Sequence, residues 1–260
     1  MFTRLTRAFF ASWLFAAAAC SSLTGPSPVD DRWRVHQTAH FLLYVRPDSF
    51  ASQNVEVFGT VLEDQYAVSV TRLQAQFERR IFGFFFEPGE GGLAGGPTRE
   101  GVAYPLTDAF KVVTAAPLDG NVYALMSHEA NHVIAGQILG RPGTSFANEG
   151  LASALLSERY HELGSTFVHA WTADAGNLPP LSRLVDDEMW AQIDDVTKYN
   201  ASASFIAYLL DTFGAGPFKQ LWGASSGQFA GRLEEVYGVT LDQAQANWRE
   251  YARRYGGLRP

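Results

Sequence analysis

Cysteine is nearly absent from this sequence, since Cys20 is the only one in 260 residues. A single thiol forms no intrachain disulfide and builds no cysteine-based zinc finger. The sequence also lacks internal repeats and any proline- or glycine-rich bias, which excludes the solenoid, collagen-like and low-complexity classes. A metal site in this chain must therefore consist of histidine, aspartate and glutamate, and the fold must be stabilised by its core.

Basic residues are also scarce. Lys and Arg number 20 against 27 Asp and Glu, the formal net charge is -7, and no basic run occurs. This balance argues against a nucleic acid as partner. Hydrophobic residues make up 47% of the chain and charged residues 18%, which is enough apolar material for one sizeable core or at most two small domains.

The N-terminus has the pattern of an export signal. Two arginines precede the uncharged, apolar residues 8–19, a stretch too short to span a bilayer, and small residues follow. The residues before Cys20 resemble a bacterial lipobox, with Ala17 where leucine is more common. We predict a signal peptide over residues 1–19, lipid attachment at Cys20 and a flexible tether over residues 20–31. The alternative is a plain cleaved signal, in which Cys20 carries no lipid.

Residues 32–260 are predicted to form one domain, with a β-rich half over 32–118 and a helical half over 119–260. In the first half, a three- and four-residue spacing of apolar residues predicts a long helix over residues 55–77. The glycine-rich residues 88–96 are predicted to be a loop. Short runs of aromatic and β-branched residues predict strands at 33–36, 41–46, 81–86, 101–104 and 110–114.

The second half has helical periodicity throughout. Thr240 and Gln243 form a capping-box pattern, which defines the start of the last helix. Strands followed by helices indicate an α+β fold, in which a mixed or antiparallel sheet with a long helix precedes a mostly helical part. The predicted helices cover residues 122–139, 146–163, 201–212, 217–222, 229–237 and 241–255.

Two histidines four residues apart mark the first helix of the second half, where residues 128–132 read His-Glu-Ala-Asn-His. Residues at this spacing lie on one face of a helix, so His128 and His132 can bind the same ion. Glu129 is rotated by about 100° from His128, which lets its carboxylate reach a water on the metal rather than the metal itself.

A catalytic zinc ion usually takes three protein ligands, and Glu149 is the candidate for the third. It follows His132 on the next predicted helix, and the intervening residues 140–143 read Gly-Arg-Pro-Gly, which reverses the chain. Two antiparallel helices would bring Glu149 opposite the histidine pair. The alternative is a glutamate that is merely favoured near a helix N-terminus by the helix dipole.

The pattern His-Glu-x-x-His followed by Asn-Glu-Gly-Leu-Ala at residues 148–152 resembles the gluzincin metallopeptidases and is most similar to bacterial peptidase MA-like proteins. The resemblance implies a zincin-like fold with the active site on the helix that carries His128 and His132. It implies that these histidines and Glu149 bind Zn²⁺. It also implies that Glu129 is the general base, which takes a proton from the metal-activated water and passes it to the leaving nitrogen.

The same resemblance implies three supporting features. An edge strand holds the peptide substrate, and residues 110–116 are the candidate for it. A tyrosine or histidine stabilises the oxyanion, and Tyr199 is the candidate, with packing at a helix start as its alternative role. Its rivals are Tyr160, His161 and His169. Thermolysin-like members carry an acid four residues after the third ligand; here that position is Ser153, so we expect another group to orient the histidine.

The sequence therefore favours a hydrolase, namely a zinc metallopeptidase that acts as a monomer on a peptide or protein substrate. We expect a lipid anchor in a bacterial cell envelope, on the periplasmic side, with the outer membrane favoured because no aspartate follows Cys20. One alternative is a non-catalytic binding or assembly lipoprotein with the same architecture, but Glu129 argues against it because a purely structural site needs no base. The other alternative is that the histidine motif is accidental.

Overall fold

The structure, a computed structural model, describes residues 32–76, 78–90, 101–160 and 163–256. The predicted signal peptide, Cys20 and the tether lie outside the described residues, as does most of the predicted glycine-rich loop. No described helix combines the length and the apolar character that a membrane span requires. A mixed sheet is followed by a mostly helical part, which confirms the predicted α+β class.

Five strands form one sheet in the order β1-β2-β3-β5-β4. They are β1 (Arg34–Gln37), β2 (Phe41–Val45), β3 (Ile81–Phe86), β4 (Gly101–Tyr104) and β5 (Ala109–Val113). Strands β2, β3 and β5 run parallel, whereas β1 and β4 pair antiparallel at the two edges. All five strands lie within one residue of their predicted positions.

The prediction that residues 110–116 provide the edge strand is wrong, because β5 lies between β3 and β4. Four of its five side chains are buried, including Phe110 and Val112, and such a nearly continuous apolar strand suits an interior position. The edge strand on this side of the sheet is β4, whose residues are partly exposed. A 3-10 turn at Pro105–Thr107 joins the two strands.

The two longest helices cover one face of the sheet. Helix α1 (Phe50–Leu73) packs on β1 and β2, and helix α2 (Gly120–Leu139) packs on β3, β5 and β4. Phe58 of α1 stacks on Phe85 of β3 with 5.0 Å between ring centroids. Helix α1 begins at Phe50 rather than residue 55 because the Ser49 hydroxyl accepts a hydrogen bond from the Ser52 N–H and caps the helix.

Helix α3 (Ser145–Ala154) is shorter than the predicted helix over residues 146–163. It ends early because the Gln65 side chain of α1 binds the backbone beyond it. Gln65 Nε2 donates to the Leu155 carbonyl at 2.8 Å, and Gln65 Oε1 accepts from the Ser157 N–H at 3.0 Å. These bonds replace the ones that a continuing helix would supply.

After α3 the regular elements of the described chain are all helices. They are α4 (Ser165–Asp174), α5 (Leu181–Leu184), α6 (Asp187–Trp190), α7 (Asp195–Phe213), α8 (Ala215–Leu221), α9 (Ser226–Tyr237) and α10 (Leu241–Arg253). The prediction lacks α4, α5 and α6, and the last two span only four residues each, which is too short for a periodic signal. The capping box of Thr240 and Gln243 is confirmed at the start of α10.

Helix α7 starts at Asp195, six residues before its predicted start, because Asp194 Oδ1 accepts a hydrogen bond from the Thr197 N–H at 3.0 Å. It packs closely on α3 at Gly150. A Cβ atom at Gly150 would lie 2.9 Å from the Ser202 carbonyl oxygen, so only glycine permits this approach. The contact brings the first turns of α7 beside α3.

A buried polar network joins α1, α2 and α3 behind the histidine motif. Asn131 is fully buried, and its Oδ1 accepts from Gln65 Nε2 at 3.0 Å and from Ser69 Oγ at 2.7 Å. Its Nδ2 donates to the Ala152 carbonyl at 2.8 Å. Each of these groups is removed from water, so a hydrogen bond lost from the network is not replaced by one to solvent.

Asn131→Ala is therefore expected to lower the free energy of unfolding by roughly 3 kcal/mol, since it removes three buried hydrogen bonds. Urea denaturation followed by circular dichroism measures this change. Asn121→Ala is the matched control, because Asn121 lies on the same helix but is exposed. A loss at Asn131→Ala no larger than that of the control would contradict the structural importance of the network.

Candidate metal centre

His128, His132 and Glu149 meet between α2 and α3. Glu149 Oε2 lies 3.1 Å from His128 Nε2 and 3.2 Å from His132 Nε2, and the two Nε2 atoms are 3.1 Å apart. One potential ligand atom from each residue thus lies within 4.8 Å of the other two, a group that could hold a metal ion. The structure therefore brings together all three residues that the sequence predicts as ligands.

The chain reversal between α2 and α3 creates this geometry. Helix α2 ends at Gly140, whose φ of 78° is favourable only for glycine, and the Thr144 hydroxyl caps α3 by accepting from the Ala147 N–H at 3.1 Å. Trp222 fixes the turn, because its Nε1 donates to the Gly140 carbonyl and its own carbonyl accepts from the Gly143 N–H. The two helices can then present Glu149 to the histidine pair.

Both histidines are also held at their Nδ1 atoms. Asn148 Nδ2 donates to Glu149 Oε1 at 3.2 Å, which directs its Oδ1 to His132 Nδ1, also at 3.2 Å. Because an amide oxygen only accepts, this contact favours the tautomer of His132 with the proton on Nδ1, in which Nε2 is able to bind an ion. Ser153 Oγ lies 3.2 Å from His128 Nδ1. The expectation that a group other than Ser153 orients this histidine is therefore wrong, since its hydroxyl makes the contact itself.

On the sequence-based expectation that the three residues bind zinc, Ser153→Ala should weaken that binding by about tenfold, because removal of a group that orients a histidine ligand typically costs 10- to 100-fold in metal affinity. Competition with a chromophoric chelator measures the affinity. Ser157→Ala is the control, since the Ser157 hydroxyl contacts the Arg159 N–H instead of a histidine. Equal affinities of both variants and the wild type would rule out this role of Ser153.

The protonation of the three groups suits a cation. Burial raises the pKa of Glu149, but hydrogen bonds from His128 and His132 outweigh it and hold that pKa well below its usual value. Burial lowers the pKa of His128. Burial also acts to lower the pKa of His132, but the hydrogen bond to Glu149 and the negative charge of that carboxylate outweigh it. The pKa of His132 is therefore raised. The site therefore favours a positive charge beside the Glu149 carboxylate, and a metal ion competes for that place.

The Glu129 carboxylate lies next to this site but does not belong to the group formed by His128, His132 and Glu149. Glu129 is 7% exposed, and burial raises its pKa to about 7. His132 lowers this pKa and Glu149 raises it, each by less than burial does. Strand β4 covers it: a Cβ atom at Gly101 would lie 2.5 Å from Glu129 Oε1. The carboxylate therefore occupies the space that a side chain on β4 would otherwise fill.

Tyr199 is the one predicted oxyanion stabiliser that contacts the site within the part of the chain that the structure describes. Its ring centroid lies 6.2 Å from that of His128 and 5.7 Å from that of Trp190. Burial raises the pKa of Tyr199 to about 12, so its hydroxyl stays protonated at neutral pH. Of the rivals, Tyr160 donates its hydroxyl proton to Asp64, His169 is fully buried against Ser204, and His161 lies outside the described residues.

The sequence patterns miss three residues of the site, Gly101, Ser153 and Trp190. A glycine inside a predicted strand is a known signal of close approach, but it does not identify Glu129 as the neighbour. Ser153 follows Glu149 by one helical turn and so lies on the same face.

The chain matches no protein-family model and no curated protein. A function for the site therefore has to be inferred from its chemistry.

Proposed function

We propose that this protein is a zinc metallopeptidase with a zincin-like fold, in which Glu129 is the general base for hydrolysis of peptide bonds. The observation that carries the proposal is the group of three ligands with a separate buried carboxylate beside it. Catalytic zinc sites have three protein ligands and an open fourth position, whereas structural sites are closed by four. A structural site has no use for a carboxylate such as Glu129.

The donor set fits zinc in type and in spacing. Two imidazoles and one carboxylate are the ligands of many hydrolytic zinc sites. A tetrahedral ion with bonds of about 2.1 Å separates its ligands by roughly 3.4 Å, and the three separations here are 3.1, 3.1 and 3.2 Å. When bound, zinc polarises a substrate carbonyl and lowers the pKa of a coordinated water.

The residues of this chain would supply the proton transfers. Glu129 takes a proton from the attacking water and delivers it to the leaving nitrogen, a role that suits a buried carboxylate beside the three ligands. The protonated Tyr199 hydroxyl donates a hydrogen bond to the developing oxyanion. His128 and His132 stay oriented by Ser153 and Asn148 throughout.

The substrate would bind along β4, the edge strand that lies beside α2. An extended peptide that pairs with the outer backbone groups of such a strand is a common mode of recognition. Because Gly101 at the start of β4 lies on Glu129, a peptide on this edge would pass beside the general base. The predicted lipid at Cys20 belongs to the same proposal and would place the enzyme on the periplasmic side of a bacterial envelope membrane.

The test measures bound metal and turnover together, on protein expressed from the full-length chain. Metal analysis of the wild type is expected to give one zinc per chain, and a broad peptide library followed by mass spectrometry is expected to show cleavage. His132→Ala should lose both, whereas His36→Ala, which alters a histidine of β1, should keep both.

Two other results would change the proposal. Stoichiometric zinc without cleavage of any library member would favour the non-catalytic binding or assembly lipoprotein. A wild-type protein that binds no zinc would contradict both functions.

A further inference from the structure

One lysine of α7 lies against the aromatic rings beside the candidate metal centre. The Lys198 ammonium is 4.8 Å from the centre of the Trp190 ring and 5.9 Å from that of the Tyr199 ring. Tyr199 in turn contacts His128, so this cation and a candidate metal ligand touch the same ring. A group that binds at Lys198 would therefore lie close to the place where a bound substrate reacts.

Most of the Lys198 side chain is withdrawn from water, since only 13% of it is exposed. The faces of aromatic rings attract an ammonium, and here the rings of Trp190 and Tyr199 take the place of part of its water shell. Opposite charges attract each other more strongly where less water surrounds them. An anion that reaches Lys198 would thus bind more tightly than one at a lysine on the open surface.

The position of Lys198 in α7 contributes little to the stability of that helix. Lys198 is the fourth residue of α7, and the N-terminal end of a helix dipole disfavours a cation. Asp195 Oδ1 lies 2.6 Å from the ammonium, but the Asp195 side chain is 82% exposed, and such ion pairs on a helix surface are weak. Asp194, which caps the helix, adds an attraction through its charge. Helix stability is therefore a weak reason for a lysine at this place.

Lys198 also has spare capacity for hydrogen bonds. An ammonium carries three N–H donors. Within the described ranges of the chain, the Asp195 carboxylate is the one acceptor within reach of these donors. A carboxylate from another molecule can therefore bind the same ammonium while Asp195 stays in place.

We infer that Lys198 binds a carboxylate of the peptide substrate, so that the enzyme selects peptides with such a group close to the scissile bond. The carboxylate belongs either to an acidic side chain or to the C-terminus of the peptide. Consecutive residues of a peptide are about 3.8 Å apart, so a carboxylate one or two residues from the scissile bond can reach a cation that touches Tyr199. The inference rests on the proposed function, because it assigns a specificity to that same site.

The surroundings of Lys198 give it a distinct effect on acidic substrates. The net charge of the chain is -7, and both Glu129 and Glu149 lie at the site. These negative charges would repel an acidic peptide. A cation beside Tyr199 reverses the sign of the local field at one position of the substrate, which makes the expected preference specific to that position.

The test uses pairs of peptides that differ in one carboxylate, on protein expressed from the full-length chain. The best library peptide is remade with Glu or Gln at each position near the scissile bond, and with a free or an amidated C-terminus. One of these carboxylates is expected to raise kcat/KM of the wild type by about tenfold, the usual effect of a hydrogen bond to a charged group. The pair that shows the effect identifies the source of the carboxylate. A wild type without any such preference overturns the inference.

Lys198→Met removes the charge and keeps a side chain of similar length. Its preference for the carboxylate is expected to disappear, while the matched Gln or amidated peptide is cleaved almost as by the wild type. Lys219→Met, on the exposed surface of α8, is the control and should keep the preference. If Lys198 only supports the rings, Lys198→Met slows both peptides of a pair equally and keeps the preference, which overturns the inference. Lys198→Gln replaces this variant if the methionine variant does not fold.

Binding of the same peptides, labelled with a fluorophore and followed by fluorescence polarisation, separates this inference from the proposed function. If the wild type cleaves no peptide, the peptidase function fails, and the binding data still decide the role of Lys198. Tighter binding of the carboxylate peptide to the wild type, lost in Lys198→Met, would support it. Equal binding of both peptides of every pair would contradict it, and so would the absence of binding.

Discussion

Glu129→Gln is expected to lower kcat by about 10²- to 10⁴-fold while the protein keeps its zinc. Glutamine has the same shape as glutamate but accepts no proton at neutral pH, and the residue is not one of the three grouped ligands. KM should change little, because the loss concerns a proton transfer rather than substrate binding. Steady-state kinetics on the best library peptide, with metal analysis of the same sample, measure both quantities.

Glu188→Gln is the control for this substitution, because Glu188 is exposed on α6. It should match the wild type in kcat and in zinc content. Undiminished turnover in Glu129→Gln would remove Glu129 from the mechanism, and loss of zinc in that variant would indicate that Glu129 is a ligand instead.

Glu129→Gln is also expected to change stability, and this effect is a gain although the effect on kcat is a loss. Burial raises the pKa of Glu129 from 4.5 to about 7, so the folded protein opposes its ionisation while the unfolded chain does not. In the metal-free wild type this destabilisation grows as pH rises from about 4.5 to about 7. Above pH 7 it reaches its full size, on the order of 3 kcal/mol. Metal-free Glu129→Gln should therefore melt at a higher temperature than metal-free wild type at pH 8, and the two should converge in acid.

Gly101→Ala is expected to reduce kcat by about 10²-fold with zinc retained. The added Cβ would lie 2.5 Å from Glu129 Oε1 and 2.7 Å from its Cδ, distances that real contacts do not tolerate. Either β4 moves outward or the carboxylate moves, and a displacement of about 1 Å at a reacting group costs about this much in rate. The affinity for zinc should stay within a few-fold of the wild type, because the atoms nearest to the added Cβ all belong to Glu129.

Gly176→Ala is the control, since a Cβ at Gly176 has no neighbour within 4 Å. Kinetics at several substrate concentrations would separate an effect on kcat from one on KM. A Gly101→Ala variant that is folded and as active as Gly176→Ala would show that β4 does not position Glu129.

The parts of the site that follow from helix geometry could be predicted from the sequence. The spacing of His128 and His132 fixes their common face, and the turn after Gly140 brings Glu149 opposite to them. The contact of Gly101 with Glu129 could not be predicted, because it joins a strand to a helix through the packing of the sheet. The early end of α3 has the same kind of cause, since Gln65 from α1 binds the backbone just after the helix.

The order of β4 and β5 shows a related limit. Local patterns predict both strands, but the edge position depends on which strand the fold buries on two sides. The nearly continuous apolar character of β5 is the signal that would have placed it inside the sheet. Closeness to α2 along the chain is a weaker guide to the edge position. It selects β5, the last strand before α2, whether or not that strand lies at an edge.

The buried amide of Asn131 would also affect the entropy of metal binding at the proposed site. Asn131 lies within the histidine motif, and its hydrogen bonds to α1 and α3 fix the rotation of α2 about its axis. The imidazoles are thereby ordered before an ion arrives, and little conformational freedom is left for the ion to remove. We therefore expect the zinc-free protein to be folded, with amide hydrogen exchange in α2 and α3 that zinc slows only slightly.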